Sequence, residues 1–186
     1  ILLPDGQVRW VHEEAEPVKD SVGEMIELHG TVQDISDRIR SEQLQAGNNR
    51  ILELIAKDKP LDDVLMAIVL HGEKMISGVR GSILLLDEFG SHLHHGVAPS
   101  LPDFYNKEID GLEIGPEVGS CGAAAYTGIP AIAEDLSIHP NWKQFKELTD
   151  KAGLGACWSV PILASNGSAL GTFAMYYREA GAPDEA

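Results

Sequence analysis

Apolar and polar positions alternate along the first third of the chain in two short runs. From Gln7 to Glu16 the residues Val8, Trp10 and His12 fall on one side and Arg9, Val11 and Glu13 on the other, the period of a half-exposed strand. Asp5-Gly6 before it is a turn signal, and Glu24 to Asp34, carrying Met25, Ile26, Leu28 and Val32, reads as a second strand returning antiparallel beside the first. The period then changes. Asp34 or Ser36 can cap a helix, and Ile35, Ile39, Leu44, Ile51, Leu52, Leu54 and Ile55 follow at spacings of mostly three to five up to Lys57. Gly47-Asn48-Asn49 interrupts this stripe and marks a hinge or restart.

Beyond Pro60, placed as a first-turn proline, Leu61, Val64, Leu65, Ile68, Val69 and Ile76 predict an amphipathic helix ending near Gly78. Val79 to Leu86 is a continuous apolar strand, closed by the turn Asp87-Glu88-Phe89-Gly90 before a more polar strand around Leu93 and Val97. Short helices are predicted over Leu101 to Ile109 and over Gly119 to Tyr126, the second opening on glycine and rich in alanine; another starts near Asn141. Asp150 to Gly155 breaks the chain. Two long strands, Ala156 to Ala164 and Ala169 to Tyr177, then flank Ser165-Asn166-Gly167, a strong hairpin turn. Together these elements predict an α+β domain, an antiparallel β-sheet flanked by α-helices.

Composition narrows the class. Over 186 residues, 44% are hydrophobic and 23% charged, enough for a packed core. The formal charge of −15 repels phosphate backbones and anionic headgroups, so no nucleic acid and no membrane surface is expected as a partner. No apolar run reaches the roughly 18 to 20 residues that cross a bilayer, and the first residues lack a signal-peptide pattern. Cys121 and Cys157 are too few for a disulfide scaffold or a four-thiolate site, which points to a reducing cytoplasm. The chain opens on Ile1 within a strand-like pattern, as a fragment of something longer would.

Two family resemblances organise these elements. LPDGQVRWVHEEAEPVKD followed by LHGTVQDISDRIRSEQ resembles the last two strands and exit motif of a PAS domain. The resemblance implies that Asp34 bridges the sheet to the outgoing helix with Arg38 as partner; read from the residues alone, Asp34 is a helix cap. VRGSILLLDE, GVAPSLPDFY, IGPEVGSCGAAAYTGIPAIAEDLSIHPNW and GLGACWSVPILASNGSALGTFAMYY, in that order, resemble a GAF domain. The expected organisation is a C-terminal PAS fragment over 1–36, a connecting helix over 37–57, a GAF domain over 44–178 and a linker over 179–186 to an output domain in cis. The combination is similar to bacterial sensors in which PAS and GAF modules precede a cyclic-di-GMP synthase or hydrolase, or a histidine kinase. A homodimer through the connecting helix is expected from that likeness; the alternative is one helix lying on its own domain.

Candidate chemistry is sparse. Cys121 follows Gly119-Ser120 at a helix start, where unpaired N–H groups favour a thiolate, and tight packing among small residues explains it as well. A redox pair with Cys157 requires the two sulfurs to meet. His94, Phe104, Tyr105, Cys121, Trp142 and Trp158 are the candidates for a ligand pocket above the sheet, with core packing the alternative for each aromatic residue. His92 and His94 share a strand face, but no Cys or acidic triplet completes a metal or haem site with them or with His95, so no metal and no haem is expected. Asp135, in the D-x-x-x-HP-x-W segment with His139 and Trp142, holds a turn while Trp142 packs.

Within the GAF resemblance, free methionine sulfoxide reductases share the position of Cys121 but require a second cysteine in a CDxxS segment, which falls near Asp150, where this chain has none. Asn106-Lys107 and Phe145 lack the Asp-Glu of a cyclic-nucleotide signature, and Gly122 and Trp158 follow the cysteines where covalent bilin attachment needs histidine. No nucleophile, base and orienting group assemble, and no phosphate-binding glycine loop is present. The expectation is a noncatalytic sensory module with a small-molecule ligand of unknown identity. The alternatives are a ligand-free dimerisation scaffold and a thiol-dependent enzyme of the reductase type.

Overall fold

The computed structural model describes residues 1–3 and 8–181. The Asp5-Gly6 turn and the end of the expected 179–186 linker lie outside the described residues. The chain divides into two compact units, Ile1–Asn49 and Arg50–Ala186.

In the first unit β1 (Val11–Lys19) and β2 (Met25–Asp34) pair antiparallel, with Val11 opposite Asp34 and Ala15 opposite Gly30. The glycine is required sterically, since a Cβ on Gly30 would sit 2.5 Å from the Glu14 carbonyl oxygen. Two strands alone bury little. Met25, Ile26, Leu28 and Val32 are all more than half exposed.

At the end of β2, Asp34 does both things expected of it, with a different partner. Its Oδ1 accepts from the Ser36 N–H at 2.9 Å, starting helix α1 (Ser36–Ala56), and its Oδ2 accepts from Arg9 Nη1 at 2.6 Å. The bridge therefore closes on Arg9, ahead of β1, and not on Arg38, which pairs with Glu42 one helical turn on at 3.7 Å. Trp10 N–H donates to Ser36 Oγ at 2.9 Å and Ile35 N–H to the Trp10 carbonyl at 2.8 Å, tying strand to helix. The helix does not restart: it runs through Gly47-Asn48-Asn49, where the boundary between the two compact units falls. One internal glycine costs about 1 kcal/mol, and i,i+3 or i,i+4 pairs such as Arg50–Glu53 and Lys57–Glu53 each return about 0.2–0.5 kcal/mol on an exposed helix.

The second unit is built on a six-stranded antiparallel sheet in the order β5-β4-β3-β8-β7-β6. The strands are β3 (Arg80–Leu86), β4 (His92–Val97), β5 (Leu112–Glu113), β6 (Ala131–Ala133), β7 (Ala156–Leu163) and β8 (Ala169–Tyr177). The Asn166-Gly167 turn sets β7 against β8, with Gly167 at φ +84°. α2 (Leu61–Met75) covers one face, packing Leu65 and Val69 on Ile83 and Val97. The other face lies under α3 (Asp103–Ile109), α4 (Gly119–Thr127), a 3-10 turn over Pro140–Phe145, and α5 (Lys146–Ala152). The short β5, β6 and α5 have no clear pattern in the sequence; α5 occupies part of the stretch read as a break. Gly181 N–H donates to the Glu134 carbonyl at 2.8 Å, so the first residues of the expected linker are pinned to this unit.

Bonds from Ser36 and then Arg9 hold the Asp34 carboxyl down at about 2, from an ordinary value of 3.8. A folded-state value below the unfolded one means these contacts stabilise the junction above about pH 4 and are lost as pH falls toward 2. A carboxyl-detected NMR titration should place the Asp34 midpoint near 2, and Arg9→Ala should raise it; a wild-type midpoint near 3.8 would contradict the bridge.

Candidate functional site

The register of β3, β8 and β7 decides which side chains face α4. Ser82 and Ser159 each lie opposite Ala174, Cys157 lies opposite Tyr176, and Thr172 lies opposite both Leu84 and Pro161. Because directly opposed residues share a face and alternate residues return to it, Ser82, Cys157, Ser159, Thr172, Ala174 and Tyr176 form one patch. Every member is at most 1% exposed.

Onto this patch α4 brings Gly119 to Ala125, all seven buried. Only small side chains allow a helix to approach so closely, and Gly119 takes the left-handed conformation, φ +53°, as the helix opens. Ser120 Oγ donates to the Cys157 carbonyl at 3.3 Å and accepts from Trp142 Nε1 at 3.2 Å. Cys121 Sγ lies 3.6 Å from Tyr176 Oη, and the Tyr176 ring meets Tyr105 edge-on at 5.8 Å.

Between these groups is a cavity lined by Leu84, Tyr105, Ser120, Cys121, Trp142 and Tyr176, among others. Its free volume, ≈ 20 Å³, holds about one water molecule. The hydroxyls of Ser82, Ser159 and Thr172 have no partner at hydrogen-bond geometry, although Ser159 and Thr172 face the Cys121 sulfur and Ser82 faces Tyr176. A buried hydroxyl left unpaired costs about 1–3 kcal/mol, so three together make an expensive floor for a merely structural core.

The two thiols are unequal. The polar groups facing the Cys121 sulfur, Cys157 first and then Tyr176, with the Ser159 and Thr172 hydroxyls beyond hydrogen-bond geometry, outweigh burial and pull the Cys121 thiol down, whereas burial pushes the Cys157 thiol well up. Burial likewise raises the hydroxyls of Tyr105 and Tyr176 far above their usual range, keeping both as neutral donors.

Of the six candidate residues, Tyr105, Cys121 and Trp142 line the cavity together. The other three stand elsewhere. Phe104 sits under the Lys151 ammonium at 4.3 Å, and Trp158 is on the opposite sheet face against Tyr177 at 4.3 Å. His94 is exposed beside Asp110 at 3.3 Å, while His92 turns to Ser91 and Asp87, so the three histidines do not converge. Among the described residues no three His, Cys, Asp or Glu side chains are placed to hold a metal ion. Asp135 Oδ1 accepts from the Ser137 N–H and hydroxyl at 2.9 and 2.6 Å, a turn as expected, and Trp142 is buried. Sequence reasoning missed Ser82, Ser159, Thr172 and Tyr176. Counting outward from Asn166-Gly167 would have found Cys157 opposite Tyr176, since the two are equidistant from that turn.

The sheet order and the helices on its two faces are those of the GAF fold. A sequence profile of the GAF domain, GAF_2, matches residues 58–186, and the chain belongs to the GAF family. A curated relative, the methyl sulfide methyltransferase-associated sensor of Methanosarcina acetivorans, is 36% identical over 185 residues, covering 100% of this chain and 18% of that protein. The chain thus spans under a fifth of the length of that relative. The GAF domain of a phosphoenolpyruvate-protein phosphotransferase from Coxiella burnetii superposes with a TM-score of 0.61 at 18% identity, covering 78% of this chain and 83% of the other. Free methionine-R-sulfoxide reductase from Neisseria meningitidis, solved with its substrate, does so with 0.54 at 17% identity and 74% of each chain. At such identities these structures speak for the fold alone. Among the described residues no helix is long and apolar enough to cross a membrane.

The clamp on α4 gives a direct test. Trp142→Phe keeps an aromatic ring but removes the indole N–H that donates to Ser120, along with some packing volume, and should lower stability in urea unfolding by at least about 0.5–1.5 kcal/mol. An unchanged midpoint would contradict a role for that bond in seating the helix.

Proposed function

We propose that the chain is a noncatalytic sensory module of a larger signalling protein, with the cluster beneath α4 as its input site. The observation that carries this reading is a buried polar cluster, the unpartnered hydroxyls of Ser82, Ser159 and Thr172 with two free thiols, next to a space for one water-sized molecule that Cys121 lines. A core needed only for stability would fill such a place with apolar side chains. The relative named as a sensor supports the same role.

In this reading β1, β2 and the start of α1 are the end of a PAS domain, and α1 joins two copies of the chain through Leu44, Leu52 and Ile55, all at least 48% exposed. An output domain in cis, of the cyclic-di-GMP or histidine-kinase type, receives the signal. The input is small. Pockets for drug-sized ligands run to about 300–1,000 Å³, so a nucleotide or bilin would require α4 to leave its seat. Turnover of free methionine sulfoxide is disfavoured, because α5 presents Asp150 where that chemistry needs a second cysteine.

Native mass spectrometry of freshly purified protein, with an absorption spectrum of the same sample, tests the proposal. The expected result is a dimer whose mass or spectrum changes on adding a small reactant or ligand. A bare dimer that responds to none would make the chain a dimerisation scaffold instead.

A further inference from the structure

The two cysteines, far apart in sequence, meet at the input site. Ser120 Oγ bonds to the Cys157 carbonyl at 3.3 Å, which fixes the first turn of α4 directly over β7. Cys157 and Tyr176 are opposed across β7 and β8, and Cys121 Sγ is 3.6 Å from the Tyr176 hydroxyl, so both cysteines lie beside the same phenol. Both are reduced and buried. Cys121, not Cys157, lines the one-water cavity. The Ser159 and Thr172 hydroxyls, both 0% exposed, have no other partner and face the Cys121 sulfur.

We propose that Cys121 and Cys157 are a peroxide-reactive dithiol, in which Cys121 meets the oxidant and Cys157 closes a disulfide that ties α4 to the sheet. The inference rests on the sensory reading and names its input chemistry. Hydrogen peroxide, with two heavy atoms, is the two-electron oxidant nearest in size to the one water the cavity holds, and it is uncharged, which suits a buried site in a chain of net charge −15. Bulky or anionic disulfides are excluded on both counts.

The steps balance. The Cys121 thiolate attacks one peroxide oxygen, the O–O bond breaks, and the departing hydroxide takes a proton to leave as water; Cys121 is now a sulfenic acid. The Cys157 sulfur then attacks the Cys121 sulfur, the S–O bond breaks, and the hydroxyl leaves as a second water carrying the Cys157 proton. Two thiols and one peroxide give one disulfide and two waters. Donors around Cys121 stabilise the attacking thiolate, while Cys157, held protonated by burial, is the slower, resolving partner.

The experiment uses the reduced 186-residue chain and hydrogen peroxide itself, followed by denaturation in an alkylating agent and mass spectrometry. The expected result is loss of both alkylatable thiols, a monomer mass lower by two hydrogens, and a peptide joining Cys121 to Cys157. Oxidation of the folded chain should outpace that of the chain unfolded in denaturant by about tenfold or more. In Cys157→Ser a dimedone adduct should appear on Cys121, and in Cys121→Ser none should appear on Cys157. Thiols that stay alkylatable in the folded wild type, or that oxidise only after unfolding, would overturn the proposal whether or not the variants fold. The sensory reading fails separately: a dithiol that closes while native dimer and spectrum stay unresponsive leaves the redox pair and removes the sensor. A ligand that binds while the thiols stay inert does the reverse.

Discussion

The close approach of α4 to the centre of the sheet is the constraint on which the rest of the second unit depends. It requires small residues on both sides: Gly119 to Ala125 on the helix, and Ser82, Cys157, Ser159 and Ala174 below. Once the helix is that close, Tyr105 and Trp142 can reach over it, and the cavity between them is what the small residues leave unfilled. The same economy of volume weakens the contact. Stabilisation scales with apolar area at about 25 cal/mol per Å², and alanines, glycines and a serine bury little of it. Three unpaired hydroxyls subtract further.

An element seated in this way suits a signalling role. α2 is anchored by Leu65 and Val69 in one apolar layer, whereas α4 packs Cys121 and Ala125 into the larger cluster on the other face and adds two hydrogen bonds through Ser120 and a thiol–phenol contact. Segments that move in response to a ligand or a redox change come from the less stable part of a fold. A change at Cys121 acts on the helix that carries it without passing through the apolar layer under α2.

Much of this was legible in the sequence, and the rest was not for definable reasons. Period-two and helical spacings located β1, β2, α1, α2, β3 and the β7–β8 hairpin, because each has enough residues for its pattern to emerge. β5 and β6, with two and three residues, and the end of α5, which overlaps a run read as a break, are set by tertiary contacts. Gly47 does not restart the helix, because the helical residues around it outweigh one glycine. Arg38 was the expected partner of Asp34; Arg9 takes that place because the hairpin brings the chain ahead of β1 back to the end of β2. Trp158 and Phe104 were plausible pocket residues by type, but sheet parity sends the first to the far face and α5 draws the second to Lys151. The polar floor was invisible for a different reason: Ser82, Ser159 and Thr172 are ordinary in sequence and acquire meaning only by sharing a face.

The central claim is that α4 is a separately movable element on this floor. Native-state hydrogen exchange, followed by NMR through low concentrations of denaturant, tests it most directly. The account predicts that amides of Gly119–Thr127 exchange through a sub-global opening, well before those of β3 and β8. Exchange of α4 together with the central strands, only on global unfolding, would contradict it.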